Sequence, residues 1–451
     1  MSNSYFAPQR RAGNRFLAWK TSTDPPHSRR WRVRPLLYWM AALFVVAAST
    51  TAASQTETQH GSKLVGTGTQ GPSEQGWSVA LSADGHTAIV GGIVDNKLTG
   101  AAWVFKRSSD TWSQQGNKLV GTGVIGQAGQ GVSVALSADG KTAMVGGPYD
   151  NSRAGAAWVF KRSGDAWSQQ GSKLVGNGSD GKAAQGASVA LSADGNTAIV
   201  GGAHDDSTAG AAWVFTRNGD AWTQQSKLVG TGAVGKAGQG SSVALSADGN
   251  TAIMGGPLDN SDAGAAWVFT RSNGVWKQLG SKLVGSGAAG EAWQGFSVAL
   301  SADGKTAIVG GPADNSNVGA AWVFSRSGAE WSQQGGKLVA TDVAGSAKHG
   351  YSVALSADGN TAIVGGPYDN SDAGAAWAYG RSGTVWSQQH KKLVGFGATG
   401  RAEQGFSVAL SADGSTAIAG GIVDNKLTGA AWVHSRSVWA PTSAPFVGPG
   451  Y

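Results

Sequence analysis

One stretch of the sequence, residues 76–92, reads Gly76-Trp77-Ser78-Val79-Ala80-Leu81-Ser82-Ala83-Asp84-Gly85-His86-Thr87-Ala88-Ile89-Val90-Gly91-Gly92, and it returns with few changes six more times. Its Asp-Gly pair separates two short strand-like runs, which is a strong local signal for a β-hairpin. The turn recurs every 55 residues, with one interval of 54, at Asp84, Asp139, Asp194, Asp248, Asp303, Asp358 and Asp413. A fixed period of this length predicts a repeat architecture.

Each copy contains four strand-like pieces, which in the second copy are residues 133–136, 142–146, 156–160 and 167–175. The first two pieces carry small residues, the third carries Trp and Phe, and the fourth is polar with a Lys before Leu-Val. Four short antiparallel strands per repeat are typical of a propeller blade, with small residues near the axis. The sequence therefore predicts an all-β, seven-bladed β-propeller of four-stranded antiparallel blades.

The ends of the array predict how the ring closes. Lys-Leu-Val also occurs seven times, but its first occurrence, at Lys63, precedes the first hairpin, and the last copy ends at Trp439 without one. We therefore expect the N-terminal strand with Lys63-Leu64-Val65 to complete the last blade. This closure would cover the interface between the first and last blades.

Composition divides the chain into three parts. Residues 1–54 hold eight basic residues and one acid, so the remaining 27 basic and 27 acidic residues leave the repeat domain neutral, without a footprint for nucleic acid. Residues 36–48 form a short apolar run after a basic flank, which predicts a signal peptide over residues 1–54, with an uncleaved anchor as the alternative. The propeller then spans 55–440 and a tail 441–451. With no cysteine, the chain has neither disulfides nor thiolate chemistry.

The repeats resemble a known family. Gly-x-Ser-Val-Ala, Ile-Val-Gly-Gly-Pro and Gly-Ala-Ala-Trp-Val-Phe are similar to the FG-GAP repeat of integrin α-subunit propellers and of secreted bacterial proteins, over residues 61–440. The resemblance implies a secreted or cell-surface propeller, or a periplasmic one, associated with adhesion or ligand binding. Here Gln-Gly replaces Phe-Gly, with His349-Gly350 in the sixth copy.

The calcium-binding loop of that family is not expected in this sequence. In family members that bind calcium, an acidic loop joins the first two strands, whereas here the loop has shrunk to Ser-Ala-Asp-Gly. One carboxylate cannot supply the six to eight oxygens, roughly, that calcium takes. We therefore expect neither a metal site nor a cofactor.

Positions that differ between copies are the candidate binding residues. The residue after the Gly that opens each hairpin is Trp77, Val132, Ala187, Ser241, Phe296, Tyr351 or Phe406, and Trp293 precedes Phe296 in the adjoining loop. In a closed ring the four aromatic residues of this set form one arc, which could stack on sugar rings or grip a peptide. The alternative is that the rings only fill space between blades.

The loops between the second and third strands open on the same face, where Tyr149, His204 and Tyr368 are further candidate contacts, unless they reflect drift among duplicated loops. Each of these loops also carries an Asp, which we expect to cap its turn. A metal role for Asp259 with Asp262, or for Asp369 with Asp372, is the alternative.

The sequence gives little support for catalysis. Its histidines occupy unrelated repeat positions, and the acids that could pair as general acid and base, Glu74, Glu291, Asp342 and Glu403, have no spacing that requires it. We expect a monomeric, non-catalytic binding or adhesion module for a glycan or an extracellular protein, without nucleic-acid binding or membrane insertion of the mature domain. A carbohydrate-active propeller enzyme and a purely structural envelope protein are the alternatives.

Overall fold

A computed structural model describes residues 59–435, which form seven antiparallel sheets arranged as the blades of a propeller. The prediction of an all-β, seven-bladed propeller is confirmed. The predicted signal peptide, 1–54, and tail, 441–451, lie outside the described residues. Among residues 59–435, no helix is long and apolar enough to cross a membrane.

The strands follow one another within each blade in the order first, second, third, fourth, counted from the axis outward. Blades one to six comprise β1–β4, β5–β8, β9–β12, β13–β16, β17–β20 and β21–β24, and blade seven comprises β25–β27. In chain order their bounds are β1 Gln75–Leu81, β2 Thr87–Gly92, β3 Ala101–Ser108, β4 Thr111–Gln114, β5 Ser133–Leu136, β6 Thr142–Gly147, β7 Ala156–Ser163, β8 Ala166–Gln169, β9 Ser188–Leu191, β10 Thr197–Gly202, β11 Ala211–Asn218, β12 Ala221–Leu228, β13 Ser242–Leu245, β14 Thr251–Gly256, β15 Ala265–Ser272, β16 Val275–Gln278, β17 Ser297–Leu300, β18 Thr306–Gly311, β19 Ala320–Ser327, β20 Glu330–Gln333, β21 Ser352–Leu355, β22 Thr361–Gly366, β23 Ala375–Ser382, β24 Val385–Gln388, β25 Ser407–Leu410, β26 Thr416–Gly421 and β27 Ala430–Ser435.

The loop between the second and third strands of each blade contains a single turn of left-handed helix. In blade one, φ is 49° at Asn96, 57° at Lys97 and 69° at Leu98. These turns are α1 Asp95–Leu98, α2 Asp150–Arg153, α3 Asp205–Thr208, α4 Asp259–Asp262, α5 Asp314–Asn317, α6 Asp369–Asp372 and α7 Asp424–Leu427.

Two closed circles of hydrogen bonds join the blades around the axis. In the first, the Ala83 amide donates to the carbonyl of Ala138, and the equivalent bond passes from blade to blade until the Ala412 amide donates to Ala83. In the second, the Ser78 hydroxyl donates to the carbonyl of Gly131, and the circle ends with Ser407 donating to Gly76 at 2.8 Å. The Ser and Ala present in every copy therefore hold the inner strands together.

The core lies between neighbouring blades. Third-strand tryptophans such as Trp103 are fully buried, and the Nε1 of Trp103 donates to the carbonyl of Thr67 at 2.8 Å. A Cβ at Gly66 would clash with the indole ring of Trp103, so this close approach requires glycine. The predicted placement of small residues near the axis and large ones farther out is confirmed.

The fourth strand differs from its prediction in one detail. In blade two, β8 ends at Gln169, Gly171 takes a φ of 68°, and pairing resumes where Leu174 bridges Ala157. Blade three lacks that glycine, and its fourth strand, Ala221–Leu228, runs on unbroken. The missing residue explains the single interval of 54.

The N-terminal residues complete blade seven as predicted, through bridges rather than a continuous strand. Gln59 pairs with His434, and Leu64 pairs with Ala431. These are the equivalents of the pairs that Gln114 and Leu119 make within blade one. We call residues 59–65 the closing segment, because they join the two ends of the ring without a covalent bond.

Candidate functional site

The loops that carry the candidate residues lie on one face of the ring. The segment before each first strand contacts the left-handed turn of the same blade, as where the Gln70 amide donates to Oδ1 of Asp95 at 2.7 Å. The Asn96 amide in turn donates to the carbonyl of Gln70. We call this side the loop face.

The Asp of each loop forms a buried ion pair, which corrects the prediction that it caps its own turn. Asp95 is 1 % exposed; its Oδ2 lies 2.5 Å from Nζ of Lys118, while its Oδ1 accepts the bond from Gln70. The same arrangement recurs in every blade. The pairs are Asp95 with Lys118, Asp150 with Lys173, Asp205 with Lys227, Asp259 with Lys282, Asp314 with Lys337, Asp369 with Lys392 and Asp424 with Lys63.

The ion pairs also involve Asp259 and Asp369, two of the residues for which a metal role was the alternative. The carboxylates of Asp259 and Asp369 are each engaged by a lysine and a backbone amide. In the part of the chain that the structure describes, no three His, Asp or Glu side chains come together in a group that could hold a metal ion.

The predicted aromatic arc exists as a line of ring contacts. Ring centroids are 4.8 Å apart between Phe296 and Tyr351, 4.9 Å between Tyr351 and Phe406, and 4.9 Å between Phe406 and Trp77. Trp293 extends the line, 6.3 Å from Phe296. All five side chains are half-buried. We call these five residues the aromatic arc; it belongs to blades five, six, seven and one.

A second large residue accompanies the arc in each of its four blades. Three positions before the hairpin residue that is aromatic in these four blades, the backbone is left-handed in all seven copies. Blades two, three and four have Gly129, Ala184 and Gly238 at this position, and the arc blades have Glu74, Trp293, Lys348 and Glu403. One half of the loop face thus carries large residues at both positions, and the other half carries small ones.

Tyr368 and Lys348 join the arc at blade six. The Tyr368 ring lies 6.2 Å from that of Tyr351, and Nζ of Lys348 lies 4.9 Å from the Tyr368 centroid and 5.9 Å from that of Trp293. Burial lowers the pKa of Lys348, and the charge of Glu403 acts in the opposite direction. Burial also raises the pKa of Tyr351, so its hydroxyl keeps its proton at neutral pH.

Tyr149 and His204 lie in blades two and three, outside the arc blades. The Arg153 guanidinium lies 5.7 Å from the centre of the Tyr149 ring. Burial, and then the charge of Arg153, lower the pKa of His204. The structure therefore groups these two candidates around Arg153 rather than with the arc.

The four acids considered for catalysis have different surroundings. Burial raises the pKa of Glu74, whereas Glu291 is exposed. Asp342 accepts hydrogen bonds from Nε1 of Trp377 at 2.7 Å and from the Lys392 amide at 2.9 Å, which assigns it to the interior bonding of blade six. Glu403 lies beside Lys348 on the loop face.

Reasoning from sequence missed the left-handed position. Its signal was present, because two copies have Gly there, as expected where a positive φ is required. Large residues at a position of this kind could have been singled out as unusual, which would have added Glu74, Lys348 and Glu403 to the candidate binding residues.

A comparison with protein-family models finds the FG-GAP repeat at residues 331–379, from the fourth strand of blade five to the third strand of blade six. A search of curated proteins finds no match. The matched segment has the same strands and turns as the other blades, and seven such blades close into one ring. Residues 331–379 thus match the FG-GAP repeat, and the seven-bladed architecture is consistent with that of an integrin α-like propeller.

Proposed function

We propose that the protein is a secreted or cell-surface binding module, without catalytic activity, whose loop face recognises a glycan or an extracellular protein through the aromatic arc. The observation that carries the proposal is the unequal distribution of large residues. Aromatic and charged side chains occupy both variable positions in four neighbouring blades, and small residues occupy them in the other three.

The left-handed backbone makes this distribution costly to the fold. An L-residue in this conformation costs about 1–2 kcal/mol, a penalty that glycine avoids. Gly129 and Gly238 occupy the equivalent position in blades two and four. Strain of this kind concentrates at functional sites. Ala184 of blade three has the same backbone conformation, so the penalty alone does not distinguish the arc blades. The large size of Trp293, Lys348 and Glu403 does distinguish them, and we attribute it to ligand contact.

The chemistry of the arc suits a ligand with both apolar and polar surface. Aromatic rings offer faces to the C–H groups of a sugar or to apolar side chains of a protein. The protonated Tyr351 hydroxyl, Lys348 and Glu403 add hydrogen-bonding groups beside those rings. Exposed aromatic clusters with a polar surround are common at interaction surfaces.

One observation favours a carbohydrate-active enzyme as a second candidate. Glycosidases use a carboxylic acid whose pKa is raised by its surroundings, and burial raises the pKa of Glu74 next to the arc. Release of reducing sugar from a bound polysaccharide, lost in Glu74→Gln, would support this assignment. Binding without turnover would support the non-catalytic module.

The binding proposal is tested by screening the protein against immobilised polysaccharides and cell-envelope fractions. The arc variant carries Trp77→Ala, Trp293→Ala, Phe296→Ala, Tyr351→Ala and Phe406→Ala. The matched control carries Val132→Ala and Ser241→Ala on the opposite half of the face. We expect the arc variant to bind at least about tenfold more weakly, because each stacked ring contributes about 1 kcal/mol, and the control to bind normally.

Thermal unfolding of both variants shows whether each remains folded. A folded arc variant that still binds would assign the rings to packing between blades. Absence of binding by the unmodified protein across the screen would favour the structural role.

A further inference from the structure

Two histidines lie where the ring closes, at positions that carry other residues in the remaining blades. At the position of His60, the other blades have glutamine, except for leucine in blade four. At the position of His434, they have phenylalanine, except for tyrosine in blade six. The glutamines are Gln115, Gln170, Gln225, Gln334 and Gln389, and the phenylalanines are Phe105, Phe160, Phe215, Phe269 and Phe324. Both substitutions therefore mark the one joint that has no covalent link.

The two histidines meet through the closing segment. Gln59 pairs with His434, and the His60 amide donates to the carbonyl of Val433 at 2.8 Å. His434 is 2 % exposed, and its Nε2 has no hydrogen-bond partner in the part of the chain that the structure describes. A charge at that site would be buried without compensation.

The groups around this pair come from blade one and the closing segment. Nδ1 of His60 lies 3.9 Å from Oδ1 of Asp110, and the charge of Arg107 also acts on His60. The charge that acts on His434 is that of His60, which has the same sign when both rings are protonated. Farther along the segment, Lys63 pairs with Asp424.

We propose that the closing segment is an acid-sensitive latch: protonation of His434 and His60 releases residues 59–65 from β27 and opens the ring between blades seven and one. In the open state both imidazoles reach water and hold their protons. In the closed state His434 must stay neutral, so each proton taken up favours opening.

The sign and size of the effect follow from His434. Burial, and then the charge of His60, lower its pKa from 6.5 to about 4. A lowered histidine pKa leaves closure unaffected above pH 6.5 and weakens it as the pH falls from 6.5 towards 4. Between pH 7.5 and 5.0, the equilibrium constant for opening should rise roughly thirtyfold from this residue alone.

The remaining blades are held differently. Their outer strands continue the chain of their own blade, so release of one of them leaves the ring covalently intact. Release of the closing segment instead leaves the first and last blades held by noncovalent contacts of their inner parts, such as the Ser407–Gly76 bond and the rings of Trp77 and Phe406.

The test is hydrogen exchange of the full-length protein, followed by mass spectrometry at pH 7.5 and 5.0. The amides of Leu64 and Ala431, which bond to each other's carbonyls across the joint, are compared with those of Leu119 and Ala102 in blade one. The two pairs have the same bonding, so their ratio removes the effect of pH on intrinsic exchange. We expect exchange at the joint to rise at least about tenfold relative to blade one at pH 5.0.

The variant His60→Gln/His434→Phe carries the residues of the other blades and should abolish the difference. Equal behaviour of the two amide pairs at both pH values would overturn the proposal. Persistence of the acid response in the double variant would also overturn it, because the histidines would then not be its cause.

Discussion

Nζ of Lys63 lies 2.5 Å from Oδ2 of Asp424, although 361 residues separate them in the chain. The carboxylate of Asp424 is fully buried, and the lysine side chain is about one-fifth exposed. Six blades make the same pair within one continuous stretch of chain. In blade seven it joins the two ends of the propeller, so the same interaction also holds the ring shut.

We expect Lys63→Met to lower the free energy of unfolding by about 3–5 kcal/mol, because it leaves a buried carboxylate without its partner. Lys118→Met in blade one removes the lysine partner of Asp95 in the same way and serves as the control. Urea unfolding measures stability in both, and limited proteolysis measures opening. Only Lys63→Met should speed cleavage near residue 66; equal cleavage in both variants would contradict a special role at the joint.

Glu74→Gln should stabilise the protein at neutral pH. Burial raises the pKa of Glu74, so the folded state binds its proton more tightly than the unfolded chain, and stability is lost as the pH rises through the folded pKa. Glutamine resembles the protonated acid and avoids that loss. Thermal unfolding should show a higher Tm for Glu74→Gln at pH 7 and a smaller difference at pH 4.

The control is Glu291→Gln, because Glu291 is an exposed acid in the corresponding segment of blade five. This variant should change Tm little at either pH. A gain in the Glu74 variant that does not depend on pH would show that its charge is not the cause. If Glu74 contacts a ligand, the more stable variant should bind less well, as expected where function is maintained at the expense of stability.

Much of the fold could be predicted because repetition amplifies weak local signals. A single Asp-Gly turn at Asp84 predicts one hairpin, while seven copies predict a closed ring. The contact between Trp77 and Phe406 then follows from ring closure alone. The completion of the last blade by the segment with Lys63 could be predicted because Lys-Leu-Val first occurs before the first hairpin and is missing after the last one.

The ion pairs were not predicted, because even in blade one the Asp and Lys are 23 residues apart and only the folded blade brings them together. Both residues occur in every copy, and an Asp that is buried needs a partner. The left-handed position was missed for a similar reason: Lys348 gives no local signal of a positive φ, and only alignment with Gly129 and Gly238 reveals it.

Blade six differs from the other blades at two residues that contact each other, His349 and Tyr379. His349 replaces the glutamine that elsewhere bonds to the preceding segment, as Gln404 does with both backbone groups of Gly395. Its Nε2 instead shares a hydrogen bond of 2.9 Å with the hydroxyl of Tyr379, which replaces phenylalanine. Burial lowers the pKa of His349 to about 3, so the ring is neutral.

Tyr379→Phe should therefore lower stability by about 1–3 kcal/mol, because it leaves a fully buried imidazole nitrogen without a partner. The double variant His349→Gln/Tyr379→Phe has the residues of the other blades and should recover most of the loss. Urea unfolding of the two variants measures this coupling. Equal destabilisation in both would mean that the two substitutions are independent.

Neighbouring blades also bond at the outer rim, in most cases through the second glutamine of the Gln-Gln pair at the fourth strand. Oε1 of Gln170 accepts from Nη1 of Arg217 at 3.0 Å, and Oε1 of Gln225 accepts from Nε1 of Trp276 at 3.0 Å. Blade four has Leu279 at this position, and among residues 59–435 the buried Nε1 of Trp331 in blade five has no hydrogen-bond partner. One missing glutamine thus accounts for the unpaired indole.

Leu279→Gln should restore this bond and raise the free energy of unfolding by about 0.5–1.5 kcal/mol, less whatever packing the half-buried leucine contributes. Gln225→Leu makes the reverse change one blade earlier. It should lower the free energy of unfolding by about 1–3 kcal/mol, because Nε1 of Trp276 then loses its glutamine partner and resembles that of Trp331. Urea unfolding of both variants checks the pair. If apolar packing outweighed the bond at this rim, both shifts would be inverted: Leu279→Gln would lower the free energy of unfolding and Gln225→Leu would raise it.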